Sequence, residues 1–185
     1  VDALEPARTA IVLIDLQRRI VAQPVAPHSG AEVVARCVTL ADAARAGGAL
    51  VVVVRAERPG VDAQPAGSEL VPEVAPKPGD LEIVKHTWGA FQDTGLDAAL
   101  RERGVDTLVV AGLATNFGVE QTARIGDETG YRVVLPQDAM SGLDAYAHDF
   151  AVDYVFRRLA RSAPRPTWWP RWRVDPLRAL IRTDG

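Results

Sequence analysis

The residues able to do chemistry fall at the ends of apolar runs. Ile11-Val12-Leu13-Ile14 ends in Asp15, with Gln17 two residues on. The run Leu50 to Val54 ends in Arg55, and Glu82 to Lys85 ends in Lys85-His86. The run Thr107 to Ala111 ends at Gly112, and Leu113-Ala114-Thr115-Asn116 then turns toward a helix beginning near Phe117 and Gly118. If each run is a strand of one parallel sheet, its carboxyl end opens on a shared cleft, where such sheets bind ligands. One acid, two fixed cations and a helix N-terminus are then expected to meet. Asp15, Lys85 and Arg55 are the candidate functional side chains, with Gln17 beside them. Free N–H groups at the helix start can hold negative charge. Trp88 and Phe91 are candidates for an aromatic wall. Each has a plainer alternative: a turn for Asp15, a solvated charge for Lys85, a salt bridge for Arg55, packing for the two rings.

Other chemistries find little support. His28, His86 and His148 are too scattered for a metal motif, so no metal and no cofactor is expected. Gly112 to Gly118 lacks the following Lys-Ser/Thr of a phosphate-binding loop. No Gly-x-Ser-x-Gly elbow supplies a serine nucleophile. The formal net charge is -3, without a long Lys/Arg run, which argues against nucleic acid as a partner. The longest apolar runs, such as Ala49 to Val54, are too short to span a bilayer. No signal-peptide pattern precedes the first strand. The single cysteine, Cys37, cannot form an internal disulfide, which fits a reducing, cytoplasmic setting.

The elements that must position these residues alternate strand and helix. A helix over about residues 30–46 puts Val33, Cys37, Leu40, Ala41 and Ala44 on one stripe, and Gly47-Gly48 ends it. Residues 59–80 hold five prolines, Pro59, Pro65, Pro72, Pro76 and Pro78, and read as a long, lid-like loop. Thr94 can cap a helix over Leu96 to Arg103. A helix over Phe117 to Thr129 carries small residues at helical spacing, Val119, Thr122, Ala123 and Gly126, that let it lie close to the sheet. A fifth strand, Tyr131 to Leu135, and a last helix over 144–160 complete the pattern. The alternation predicts an α/β fold with a doubly wound, mostly parallel sheet flanked by helices. One domain is expected over 1–163. From Pro164 to 185 the composition changes to a Trp/Pro/Arg-rich tail with Trp168, Trp169 and Trp172, candidates for covering a neighbouring subunit or wrapping the domain.

Three stretches resemble the signatures of the isochorismatase-like (cysteine hydrolase) superfamily: Ile11 to Gln17, Lys85 to Leu96, and Gly112 to Arg124. Gly130-Tyr131 and Asp138-Ala139-Met140 also fit. The resemblance runs from about residue 8 to 160 and implies a Rossmann-like three-layer α/β/α domain, a small-molecule substrate and a homo-oligomer. By resemblance Asp15 is the catalytic aspartate, Lys85 the catalytic lysine, and Gly118 stands at the place of the cysteine nucleophile. Leu113–Ala114 matches a cis peptide that helps form an oxyanion hole in relatives. Amidase members attack a carbonyl with the thiolate. Isochorismatase members hydrolyse a vinyl ether to give pyruvate, and some carry glycine at this place.

Glycine cannot serve as a nucleophile, and the helical spacing of Cys37 buries it elsewhere. Acid catalysis by Asp15 remains: protonation of the terminal vinyl carbon and capture of the oxocarbenium ion by water. Burial raises the pKa of Asp15 and Lys85 lowers it, and the sequence leaves open which wins. The leading expectation is an isochorismatase-type vinyl-ether hydrolase without the cysteine. The alternative is an inactive binding or scaffold protein that kept the fold. A nicotinamidase-like amidase is disfavoured because its chemistry needs the thiolate.

Overall fold

A computed structural model describes residues 4–159. The Pro164–185 tail, the boundary at 163 and the end of the last helix at 160 lie outside the described residues.

Strand β1 (Thr9–Ile14) is buried along its whole length. It pairs in parallel with β2 (Leu50–Ala56) on one side and β4 (Thr107–Leu113) on the other. β3 (Leu81–Lys85) extends the sheet beyond β2, and β5 (Arg132–Val134) beyond β4. The order is β3-β2-β1-β4-β5, and a short β6 (Met140–Ser141) continues the β5 edge by pairing with Gly112 and Leu113. All these pairings are parallel, as continuous apolar strands covered on both faces require.

Side chains alternate along each strand and feed two cores. Ile11, Leu13, Val51, Val53, Val109 and Ala111 face one side, against Val33, Cys37, Leu40, Ala41 and Ala44 of α2 (Gly30–Gly47). Ala10, Val12, Ile14, Val52, Val54, Leu108 and Val110 face the other. There they meet Leu96 and Leu100 of α3 (Leu96–Glu102), Ala123 of α4 (Glu120–Glu128), and Ala151, Val152, Val155 and Phe156 of the helical segment that begins with α5 (Ala145–Phe150). The result is the expected three-layer, doubly wound α/β/α domain.

The ends of α2 show why its sequence stops and starts where it does. Ser29 accepts a hydrogen bond from the Glu32 N–H, and Glu32 accepts one from the Ser29 N–H, which satisfies two donors of the first turn. Gly48 closes the helix at φ 78°, a conformation glycine takes at no Cβ cost.

Some expectations need correction. A short helix, α1 (Arg18–Val21), and strand β6 had no clear periodic signal. The helix expected from Phe117 is regular only from Glu120. Residues Thr115–Val119 form a wider turn in which Phe117 has non-helical angles. The last helix is α only through Phe150 and then widens over Ala151–Val155. No helix among the described residues is long and apolar enough to cross a membrane.

The chain runs from β1 outward to β3, then crosses back to place β4 beside β1. The winding direction therefore reverses between β1 and β4. Adjacent loops diverge at such a point and leave a crevice.

Candidate active site

A cleft of ≈ 470 Å³ opens at that reversal. Asp15 leaves the end of β1, Lys85 ends β3, Leu113 ends β4, and Ala114, Phe117 and Gly118 follow it; all line the cleft. Asp15 has φ 52°, the left-handed region that a non-glycine residue enters uncommonly. Its N–H still donates to Val54, and its carbonyl accepts from Gln17, so the turn is fixed on both sides. Such backbone outliers gather where a side chain must be aimed.

Among the described residues the lysine is the largest of the fully buried side chains, 1% exposed. Its Nζ lies 2.8 Å from Asp15 Oδ2 and donates to the Trp88 carbonyl at 2.6 Å. An ammonium group can be buried at tolerable cost only with such partners. The Trp88 carbonyl is itself held in place. The Ala90 N–H donates to Thr122 Oγ1, whose hydroxyl donates to the Gly118 carbonyl. The first turn of α4 thus ties the Trp88 loop to the Gly118 turn.

Burial lifts the pKa of Asp15 above the usual carboxylate value, and Lys85 and then Arg19 work against that rise. Desolvation, which penalises the charged form, is the larger effect. Asp15 Oδ1 is buried without a hydrogen-bond partner among the described residues. One oxygen is therefore engaged by the lysine and the other is uncommitted.

Gly118 faces this pair directly. A Cβ at 118 would lie 2.8 Å from Ile14 Cγ2, 3.0 Å from Lys85 Nζ and 3.2 Å from Asp15 Oδ2. The chain's sole cysteine, Cys37, is buried under α2, with its thiol donating toward the Ala139 carbonyl at 3.6 Å. Burial pushes that thiol's pKa up, the opposite of what a reactive thiolate needs.

The peptide between Leu113 and Ala114 is cis. The N–H groups of Phe117 and Val119 both donate to the Ala114 carbonyl, at 3.1 and 3.3 Å. Two donors of this helix start are therefore committed within the turn.

The remaining sequence candidates divide. Trp88 lines the cleft, is 67% exposed and stacks on Phe117 with ring centroids 5.1 Å apart. Gln17 does not reach the cleft. It is fully buried, accepts from the Ala56 N–H at 2.9 Å, and donates to the Ala56 and Ser68 carbonyls. Its amide substitutes for a strand neighbour and pins the proline-rich loop to β2. Arg55 also points elsewhere: it donates to Glu82 at 2.7 Å and pairs with Glu57. Phe91 packs against Tyr131 at 6.0 Å in the second core. Thr115 is buried against His148 Nδ1 at 2.9 Å. Asn116 is absent from the lining, and its Oδ1 is buried beside Gly142 without a partner among the described residues. Period and strand-end arguments locate residues along the chain, but side-chain direction after the strand end depends on contacts made from far away.

Several lining residues escaped the sequence reading. Arg19, Ile20 and Gln23 come from α1 and the residues just after it, Glu57 and Thr87 follow β2 and β3, and Leu143 follows β6. The stretch from Arg18 to Gln23 directly follows the Asp15 segment, and that adjacency was the available signal.

A family model for the isochorismatase domain matches residues 9–163. The chain belongs to the isochorismatase family. An uncharacterized isochorismatase family protein of Escherichia coli O157:H7, YecD, is 38% identical over 175 residues, covering 85% of this chain and 93% of the relative. The solved structure of an isochorismatase family protein from Burkholderia thailandensis superposes with a TM-score of 0.84 at 35% identity, covering 99% of this chain and all (100%) of the other. A streptothricin hydrolase of Streptomyces noursei is 39% identical over 138 residues, 73% of this chain and 50% of the relative. The isochorismatase family thus includes hydrolases, and this chain has their fold.

Proposed function

We propose that this isochorismatase-family protein is a hydrolase that works without a thiol, by acid-catalysed hydrolysis of a vinyl ether of the isochorismate type. The observation that carries the reading is the environment of Gly118. The position adjoins both Asp15 and Lys85, where cysteine-dependent relatives would place the nucleophile, and here it has no side chain. The Asp15 carboxyl is then the group in the cleft suited to proton transfer.

In this reading the protonated Asp15 gives its proton to the terminal vinyl carbon. The π electrons form the new C–H bond and leave an oxocarbenium ion. Water adds to the cationic carbon and returns a proton to Asp15. The resulting hemiketal breaks its C–O bond, releasing pyruvate and the alcohol. Desolvation supports the first step, because it raises the Asp15 pKa toward the working pH. Lys85 then stabilises the carboxylate left after proton transfer.

A second reading, a binding protein without turnover, draws on the 2.8 Å Lys85–Asp15 pair, which favours an ionised acid. Pyruvate release from isochorismate separates the two. Wild-type chain should release it, and Asp15→Asn should reduce the rate by at least about a hundredfold. Release that Asp15→Asn leaves intact would remove the acid role, and no release from any vinyl ether would favour the binding protein. Thiol alkylation should leave the activity unchanged.

A further inference from the structure

Arg19 differs from the other arginines around the cleft. Arg18 pairs with Glu69, and Arg55 with Glu57 and Glu82. Arg19 is half-buried and lines the cleft with Asp15 and Lys85. Its Nε donates to Ser68 Oγ at 3.2 Å. Its charge acts on the Asp15 carboxyl, but among the described residues it makes no ion pair at contact distance, and neither of its terminal nitrogens donates to a protein group. A guanidinium offers five donors in a rigid fork that matches a carboxylate bidentately. Here one edge is anchored and the other two nitrogens are unused.

The anchor is built by the proline-rich loop. The Arg19 N–H donates to Gly67 at 2.9 Å, and Arg18 donates to Glu69 at 3.0 Å. Gly67 has φ 76°, and a Cβ there would come within 3.1 Å of the Arg19 nitrogen. Glycine is what permits the loop to lie this close. Ser68 is buried, with its carbonyl receiving the Gln17 amide. Loop, Gln17 and α1 therefore fix Ser68, and Ser68 orients the fork. The other acid in the lining, Glu57, pairs with Arg55, which it shares with Glu82, so its charge is partly offset.

We infer that Arg19 is a carboxylate-binding residue of the cleft, oriented by Ser68, and that the site takes a small organic carboxylate whose planar part lies against Trp88. The exposed face of the Trp88 ring, backed by Phe117, offers the apolar surface. The inference rests on the cleft being the substrate site, as in the proposed function, but not on the acid step.

The test is equilibrium binding, without turnover, by calorimetry on the full chain. The probes are benzoate and its neutral isostere benzamide. Wild type should bind benzoate about ten- to a hundredfold more tightly, the range for a charge-assisted bidentate contact. Arg19→Gln should bind both alike. Ser68→Ala keeps the charge but frees the fork, and should lose part of the preference. Melting curves for each variant confirm folding. Benzoate preference that survives R19Q assigns the carboxylate to another cation and overturns the inference. Equal or absent binding of the two probes by wild type also overturns it. Because binding is read without chemistry, a failed acid mechanism leaves these outcomes unaffected.

Discussion

At the residue scale the site is a compromise among three neighbours. Asp15 and Lys85 are both nearly removed from water, and each depends on the other. Replacing Lys85 by Met leaves a buried carboxylate without its cation, a change worth about 3–5 kcal/mol in comparable cases. Asp15 can escape by taking up a proton, and its folded pKa, already raised by burial, then rises further. A raised folded pKa contributes stability that is present below the unfolded value and lost as pH rises through the folded one. Urea denaturation of Lys85→Met should therefore show its smallest loss in mild acid and its largest loss above neutrality. Gly118 sets the third constraint. Gly118→Ala puts a Cβ against Ile14 and the Lys85 amine, and should cost about 1–3 kcal/mol by overpacking, read as a lower denaturation midpoint. The sequence made this trio legible because two of the residues end strands and the third opens a helical segment. It could not show that Asp15 enters the left-handed region, or which of its oxygens the lysine takes.

At the element scale the decisive connection is the proline-rich loop. Five prolines mark it as irregular, and the expectation for it is a lid-like loop. Its inner half is nevertheless strapped to the chain after β1: Val71 donates to Leu16, and Gln17 bridges Leu70, Ala56 and Ser68. Gln17 looked like a substrate contact because it follows Asp15 by two residues. What turns it inward is a set of backbone groups 39 and 51 residues away, which no local pattern encodes. Arg55 was misplaced for a similar reason, since Glu57 and Glu82 capture its side chain. Gln17→Ala leaves the Ala56 N–H and two carbonyls without their partner. Each buried orphan costs about 1–3 kcal/mol, so a loss of at least about 3 kcal/mol in the urea titration is expected. Faster proteolysis within residues 59–70 should accompany it. The long β-runs and α2 were readable because their periodicity is strong and both faces are covered. α1 and β6 are too short to carry a period, and their places depend on what they pack against.

At the scale of the whole molecule, topology explains why the chemistry collects in one place. The reversal between β1 and β4 opens the crevice, and both strands deliver side chains to it from a sheet buried on both faces. Isochorismatase-family membership fixes that frame, and the residues set into it define this chain's chemistry. If Asp15 supplies the proton, the reaction needs its carboxyl protonated, and the activity must follow that titration. The most direct measurement is the pH dependence of kcat for pyruvate release from isochorismate. The account predicts a plateau on the acid side and a fall of about tenfold per pH unit once the pH passes the raised Asp15 pKa. A rate that is flat across that range, or that climbs with pH, would contradict it.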